Sequence, residues 1–174
     1  MQISSAEAIR FQQSHIQPEN MVLATLAAGR IAARIGARHG LTLERLRHAR
    51  IEQIVSTLGE YAERTGDGGA GSTHFTPLPE RSAVAVLTND APSVDLSERA
   101  NHALKGFNAE RDKPDVSLLV HLLHNSKGAR MLVSTVVDEL DTLISDLSSE
   151  PTMERVVIDK GTVTEQVFLP ASAI

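Results

Sequence analysis

His121 and His124 stand one helical turn apart, a spacing that lets two imidazoles reach one metal ion, and Glu98 and His102 stand four residues apart on another segment. Together these turns could supply a carboxylate and histidines to a site between helices. Nothing in the spacing joins the two turns, so the histidines are expected to mark exposed edges of packed helices, with no metal and no cofactor. Gly66-Asp67-Gly68-Gly69-Ala70-Gly71-Ser72-Thr73 is one substitution from a phosphate-binding loop, with Ser72 where the lysine belongs. Without that cation, and after a helix rather than a strand, it is expected to be a connection. The chain has no cysteine, which excludes thiolate nucleophiles, thiolate zinc sites and a disulfide scaffold. No GxSxG elbow is present either.

Arginine is the residue type with the strongest placement. Arg10, Arg30, Arg34, Arg38, Arg45, Arg47 and Arg50 face only Glu7, Glu19 and Glu44 in the first 50 residues, a net charge of +4, while the whole chain carries −5. A basic part joined to an acidic remainder suits an anionic or acidic partner on one side. Arg30, Arg34 and Arg38 recur at helical spacing and form a stripe. Arg45, Arg47, His48 and Arg50 follow a turn at Gly40. Arg47 and Arg50 share an arc with apolar residues, so they are expected to lay their stems along the edge of a core.

Two segments carry resemblances. Gly36-Ala37-Arg38-His39-Gly40-Leu41-Thr42-Leu43-Glu44-Arg45-Leu46 resembles the helix-turn-helix pattern of DNA-binding proteins, with a small residue four before the turn glycine, a hydroxyl cap and an apolar anchor. That resemblance implies DNA as a partner and Arg45, Arg47, His48 and Arg50 as phosphate or base contacts. His102-Ala103-Leu104-Lys105-Gly106 resembles the HxLKG motif of histidine phosphotransfer domains. It implies His102 as phosphoryl acceptor, Lys105 as its stabiliser and Gly106 as the clearance for a receiver. Past the motif, Asp112-Lys113-Pro114 interrupts the helix that the family continues.

The elements that must position these residues are mostly helices. At 174 residues with 41% apolar content and 3% aromatics, the chain fits a single domain over 1–174 with an aliphatic core. Helices are expected over 5–15, from Pro18 to about His39, from Thr42 to near Thr65, from Asp95 to about Glu110 and from Pro114. Along the second, Thr25, Gly29, Ala32 and Gly36 form a small-residue seam suited to packing or self-association. Residues 66–82 are expected to be a flexible loop between a basic N-terminal helical part and an acidic C-terminal part, with a short strand at Ala83–Leu87 after it. Leu132, Val133, Val136, Val137, Leu140, Leu143, Ile144 and Leu147 share one arc, which predicts one long helix over Ala129–Leu147 with Asp138, Asp141 and Asp146 outside. Val156–Ile158 and Val163–Leu169 predict a C-terminal β-hairpin. A winged-helix order starting at Pro114 fits the spacing. Its recognition helix would carry Asp138, Glu139, Asp141 and Asp146, which phosphates repel. The lack of a break between Arg130 and Leu147 opposes it.

The fold expected is therefore mainly α, a bundle of five to six helices with a short strand and a C-terminal β-hairpin. The function expected is a non-enzymatic helical protein–protein interaction, adaptor or assembly protein, homo-oligomeric, acting through Arg30, Arg34, Arg38 and the 45–50 cluster. Its alternatives are a helix-turn-helix regulator through residues 36–50 and, more weakly, a phosphotransfer protein through His102. No apolar run is long enough to span a membrane, and no secretory leader pattern opens the sequence. A cytoplasmic place, or a place in a virion or larger assembly, is expected.

Overall fold

In the computed structural model the described residues are 2–28, 31–65, 75–79, 94–109, 113–149, 153–160 and 163–170. The protein is mainly helical, and eight helices occur among them. Helix α1 is Gln2–Arg10, α2 Pro18–Ala27, α3 Ile31–Arg38, α4 Leu43–Thr65, α5 Glu98–Ala103, α6 Pro114–Asn125, α7 Lys127–Ser134 and α8 Leu140–Ser149. Between residues 2 and 149 the described backbone forms no ladder beyond a single parallel bridge, Ile16 to Leu96. The expected strand at Ala83–Leu87 lies outside the described residues, as does most of the expected loop over 66–82.

Helix α2 is the centre of the packing. Its sequence, PENMVLATLA, is apolar on nearly every side, and a helix of that kind is stable only when surrounded. It contacts α1, α3, α4, α5, α6 and α7. Pro18 opens it, as expected, and the Gln17 backbone N–H donates to Asn20 Oδ1 at 2.7 Å to close the first turn. The second hub, α6, packs on α2, α3, α5, α7 and α8. Leu119, Leu122 and Leu123 on α6 are fully buried with Leu23, Ile35, Leu46, Leu132, Leu143 and Leu147. Each such burial contributes about 2 kcal/mol against the entropy of ordering the chain.

Four expected helices differ from what forms. The helix expected over 5–15 is Gln2–Arg10, and the chain turns after it with Gln12 at φ +53°. The helix expected from Pro18 to His39 is two, because α2 closes at Ala28 and α3 starts at Ile31. Asp115 of α6 makes the second start possible: its buried Oδ2 accepts from the Ala32 N–H at 2.9 Å, satisfying an orphan donor of the first turn of α3. The helix expected over Ala129–Leu147 is also two. Thr135, Val136 and Val137 are consecutive β-branched residues, and Thr135 Oγ1 donates to the Leu132 carbonyl at 2.7 Å as α7 ends. The helix expected from Asp95 to Glu110 shrinks to six residues, capped by Ser97, whose Oγ accepts from the Ala100 N–H.

The corner between α3 and α4 forms as expected. Gly40 takes φ +74°, the Leu41 N–H donates to the Gly36 carbonyl at 2.8 Å, and the Gly40 N–H donates to Ala37. Thr25, Ala32 and Gly36 of the small-residue seam are buried inside the molecule. They serve internal packing: a Cβ on Gly36 would meet the Leu41 carbonyl oxygen at 3.1 Å. No helix among the described residues is long and apolar enough to cross a membrane.

Candidate interaction surface

The arginines split into two groups. On α3, Arg34 and Arg38 are exposed, and Arg30 lies outside the described residues. On α4, Arg47 and Arg50 turn toward the body. Arg47 makes a two-point ion pair with the buried Glu7 of α1, its Nε donating to Oε2 at 3.3 Å and its terminal amino group to Oε1. A buried carboxylate needs such a partner, so this pair joins α4 to α1. Arg50 donates to Gln53 Oε1 at 3.1 Å. Burial pushes its guanidinium below the usual arginine pKa, Glu19 pulls it back up, and Arg99 adds to the fall.

Arg45 and His48 remain at the surface. They line a shallow cleft of about 420 Å³ with Glu44, Ala49, Glu52, Thr135 and Val136. Arg45 donates to the Gly40 carbonyl at 2.7 Å, tying itself to the end of α3, and His48 lies 3.4 Å from Glu52. The carboxylates of Glu44 and Glu52 at this cleft offset the Arg45 cation. Of the four residues 45, 47, 48 and 50, the fold thus brings two together and directs two inward.

His102 is exposed next to the end of the six-residue α5, and Lys105 and Gly106 follow in the turn, Gly106 at φ +77°. His102 lines a cleft of about 410 Å³ with Glu98, Arg99, Asn125, Ser126, Lys127 and Gly128. His121 and His124 line a different cleft, so the two expected turns do not combine. No group of three or more His, Cys, Asp or Glu that could hold a metal occurs among the described residues.

Sequence reasoning missed Glu7, Glu19 and Asp115, three acids buried at 3%, 3% and 8% exposure. Glu19 Oε1 accepts from Arg99 at 3.0 Å, linking α2 to α5, and Gly128 of α7 sits so close that a Cβ there would fall 3.0 Å from the Glu19 carboxyl carbon. Glu19 and Asp115 each directly follow a helix-starting proline, the one local signal both shared. That signal accounts for a first-turn acid without revealing a partner elsewhere.

Apolar exposure increases along α4. Leu46 and Ala49 are buried at its start. Ile51, Ile54 and Val55 are half-buried, and Leu58 is 48% exposed. With 23 residues, α4 is about 34 Å long at about 1.5 Å per residue. No protein-family model, no curated protein and no solved structure matches this chain.

Proposed function

We propose that the protein is a non-enzymatic helical interaction or assembly protein that associates with a second copy of itself through the outer part of α4. One observation carries the reading: Ile51, Val55 and Leu58 recur at i, i+4 and i+7 on one side of α4, and their exposure rises from half-buried to 48% along it. A helix face of that pattern gains free energy by meeting another apolar face. Its place is the cytoplasm or a larger assembly. Sedimentation velocity of the wild type against the Val55→Glu, Leu58→Glu double variant tests the reading. A wild-type dimer or higher species that becomes monomeric in the double variant, at unchanged helix content, is the expected result. A strict wild-type monomer at high concentration removes the self-association.

A second reading is favoured by the break that separates α7 from α8. With α6, α7 and α8 distinct, a C-terminal β-hairpin completes the helix order of a winged helix. Met153–Lys160 and Val163–Pro170 would be its strands, running antiparallel with Val156 opposite Val167. Asp141 pairs with Arg130 at 3.1 Å and Asp146 with His39 at 2.8 Å. An α8 occupied by acids suits a protein partner rather than phosphates. For residues 36–50, duplex binding at low salt that weakens in Arg45→Ala would restore the DNA-binding alternative.

A further inference from the structure

Phe75-Thr76-Pro77-Leu78-Pro79 lies in irregular conformation against the end of α1. Thr76 and Leu78 each precede a proline, which biases them to extended backbone, so the segment is prepared as an extended ligand. The same two residues make its main-chain contacts. The Leu78 N–H donates to the Arg10 carbonyl at 2.9 Å, filling one of the acceptors that the last turn of a helix leaves open. The Thr76 carbonyl accepts from Gln12 Nε2 at 3.1 Å. Phe75 lays its ring on Phe11, centroids 6.4 Å and planes 12° apart, and Phe11 is only 2% exposed. Thr76, Leu78 and Pro79 are exposed, so the segment lies over the surface rather than through the core.

Gln12 is the residue that ties the helix end to this segment. The Gln13 N–H donates to the Ala8 carbonyl and the Gln12 N–H to the Ile9 carbonyl, both at 2.9 Å, a helix stop whose left-handed residue is usually glycine. Here that residue is Gln12, at φ +53°. A glutamine there strains the backbone, and its side chain makes the hydrogen bond to Thr76 that a glycine could not make.

We propose that the end of α1 is a docking site for an extended, proline-containing segment of a partner protein, with an aromatic residue two positions before the proline, and that residues 75–79 occupy it in cis until such a partner displaces them. Two main-chain contacts and one ring form a recognition set that another chain can reproduce, since neither hydrogen bond uses the side chain of residue 76 or 78. The site is separate from the self-association proposed for α4.

The probe is the acetylated and amidated pentapeptide of residues 75–79, titrated into the full chain and followed by the amide signals of Phe11, Gln12 and Gln13. Saturable shifts are expected in the wild type, with about tenfold tighter binding in Phe75→Ala, where the tethered occupant has lost its ring. Gln12→Gly in the Phe75→Ala chain then separates docking from stability. Glycine suits φ +53°, so the melting temperature should hold or rise, while peptide affinity should fall about fivefold with the lost hydrogen bond. The proposal is overturned by no saturable shift in the folded proteins, by equal affinity of the wild type and folded Phe75→Ala, or by unchanged affinity after Gln12→Gly. A wild-type dimer abolished by Phe75→Ala and kept by Leu58→Glu would place residues 75–79 of a second copy on the site, and that also overturns it. If Phe75→Ala does not fold, the wild-type titration decides alone.

Discussion

At the scale of single residues, the fold turns the charges that looked most available into structural ties. Arg47 shares the basic run of α4 with Arg45 and His48, yet it closes on Glu7 and leaves only 16% of its own side chain exposed. Removing one member of such a pair strands the other. Arg47→Met is therefore expected to cost about 3 kcal/mol, and adding Glu7→Gln to it to recover much of the loss; urea melts of the two single variants and the double measure it. Arg50 differs because its cation is itself penalised by burial. A base whose pKa is lowered on folding binds its proton less tightly in the folded state, so stability from this site rises with pH only in the strongly alkaline window up to the ordinary arginine value. Arg50→Met should consequently change the unfolding free energy by the same amount at about pH 6 and about pH 9. A difference between those pH values that exceeds experimental error would contradict the assignment. Neither role could be read from spacing, since Glu7 lies 40 positions from Arg47 and only packing brings them together.

At the scale of elements, local chemistry settled starts and stops where one residue type suffices. Pro18 and Pro114 open helices, Ser97 and Ser126 cap them, and Gly40 turns the chain from α3 into α4. Because Gly40 holds φ +74°, Gly40→Ala forces a side chain into the left-handed region and is expected to cost about 1–2 kcal/mol, read as a lowered melting temperature with unchanged helix content. Breaks that leave the apolar pattern in phase escaped sequence reading. Val133, Val136, Val137 and Leu140 all point to the core whether the chain continues as one helix or turns at Thr135, since i, i+3, i+4 and i+7 share a face. The division of α2 from α3 depends on Asp115, 83 positions from the N–H it accepts. The outer part of α4 is the converse case, an amphipathic face whose coverage the pattern could not report.

At the scale of the whole molecule, one continuous core runs from Ala8 to Leu147 and includes residues of both the basic and the acidic parts. Helix α2 touches partners on either side of residues 66–93, so the parts should not melt separately. Urea unfolding followed by far-ultraviolet circular dichroism and by the fluorescence of Tyr61 is expected to give coincident transitions; two separated midpoints would contradict a shared core. By itself the sequence determined the mainly helical class, the aliphatic character of the core, the proline, serine and glycine punctuation, and the uneven distribution of charge, because each depends on residue type and short-range spacing. The tertiary structure alone decided which arginines remain outside, which acids are buried to meet them, and that Leu58 of α4 is left 48% exposed. Those outcomes depend on contacts between residues 40 to 83 positions apart, where local pattern carries no information about what lies opposite.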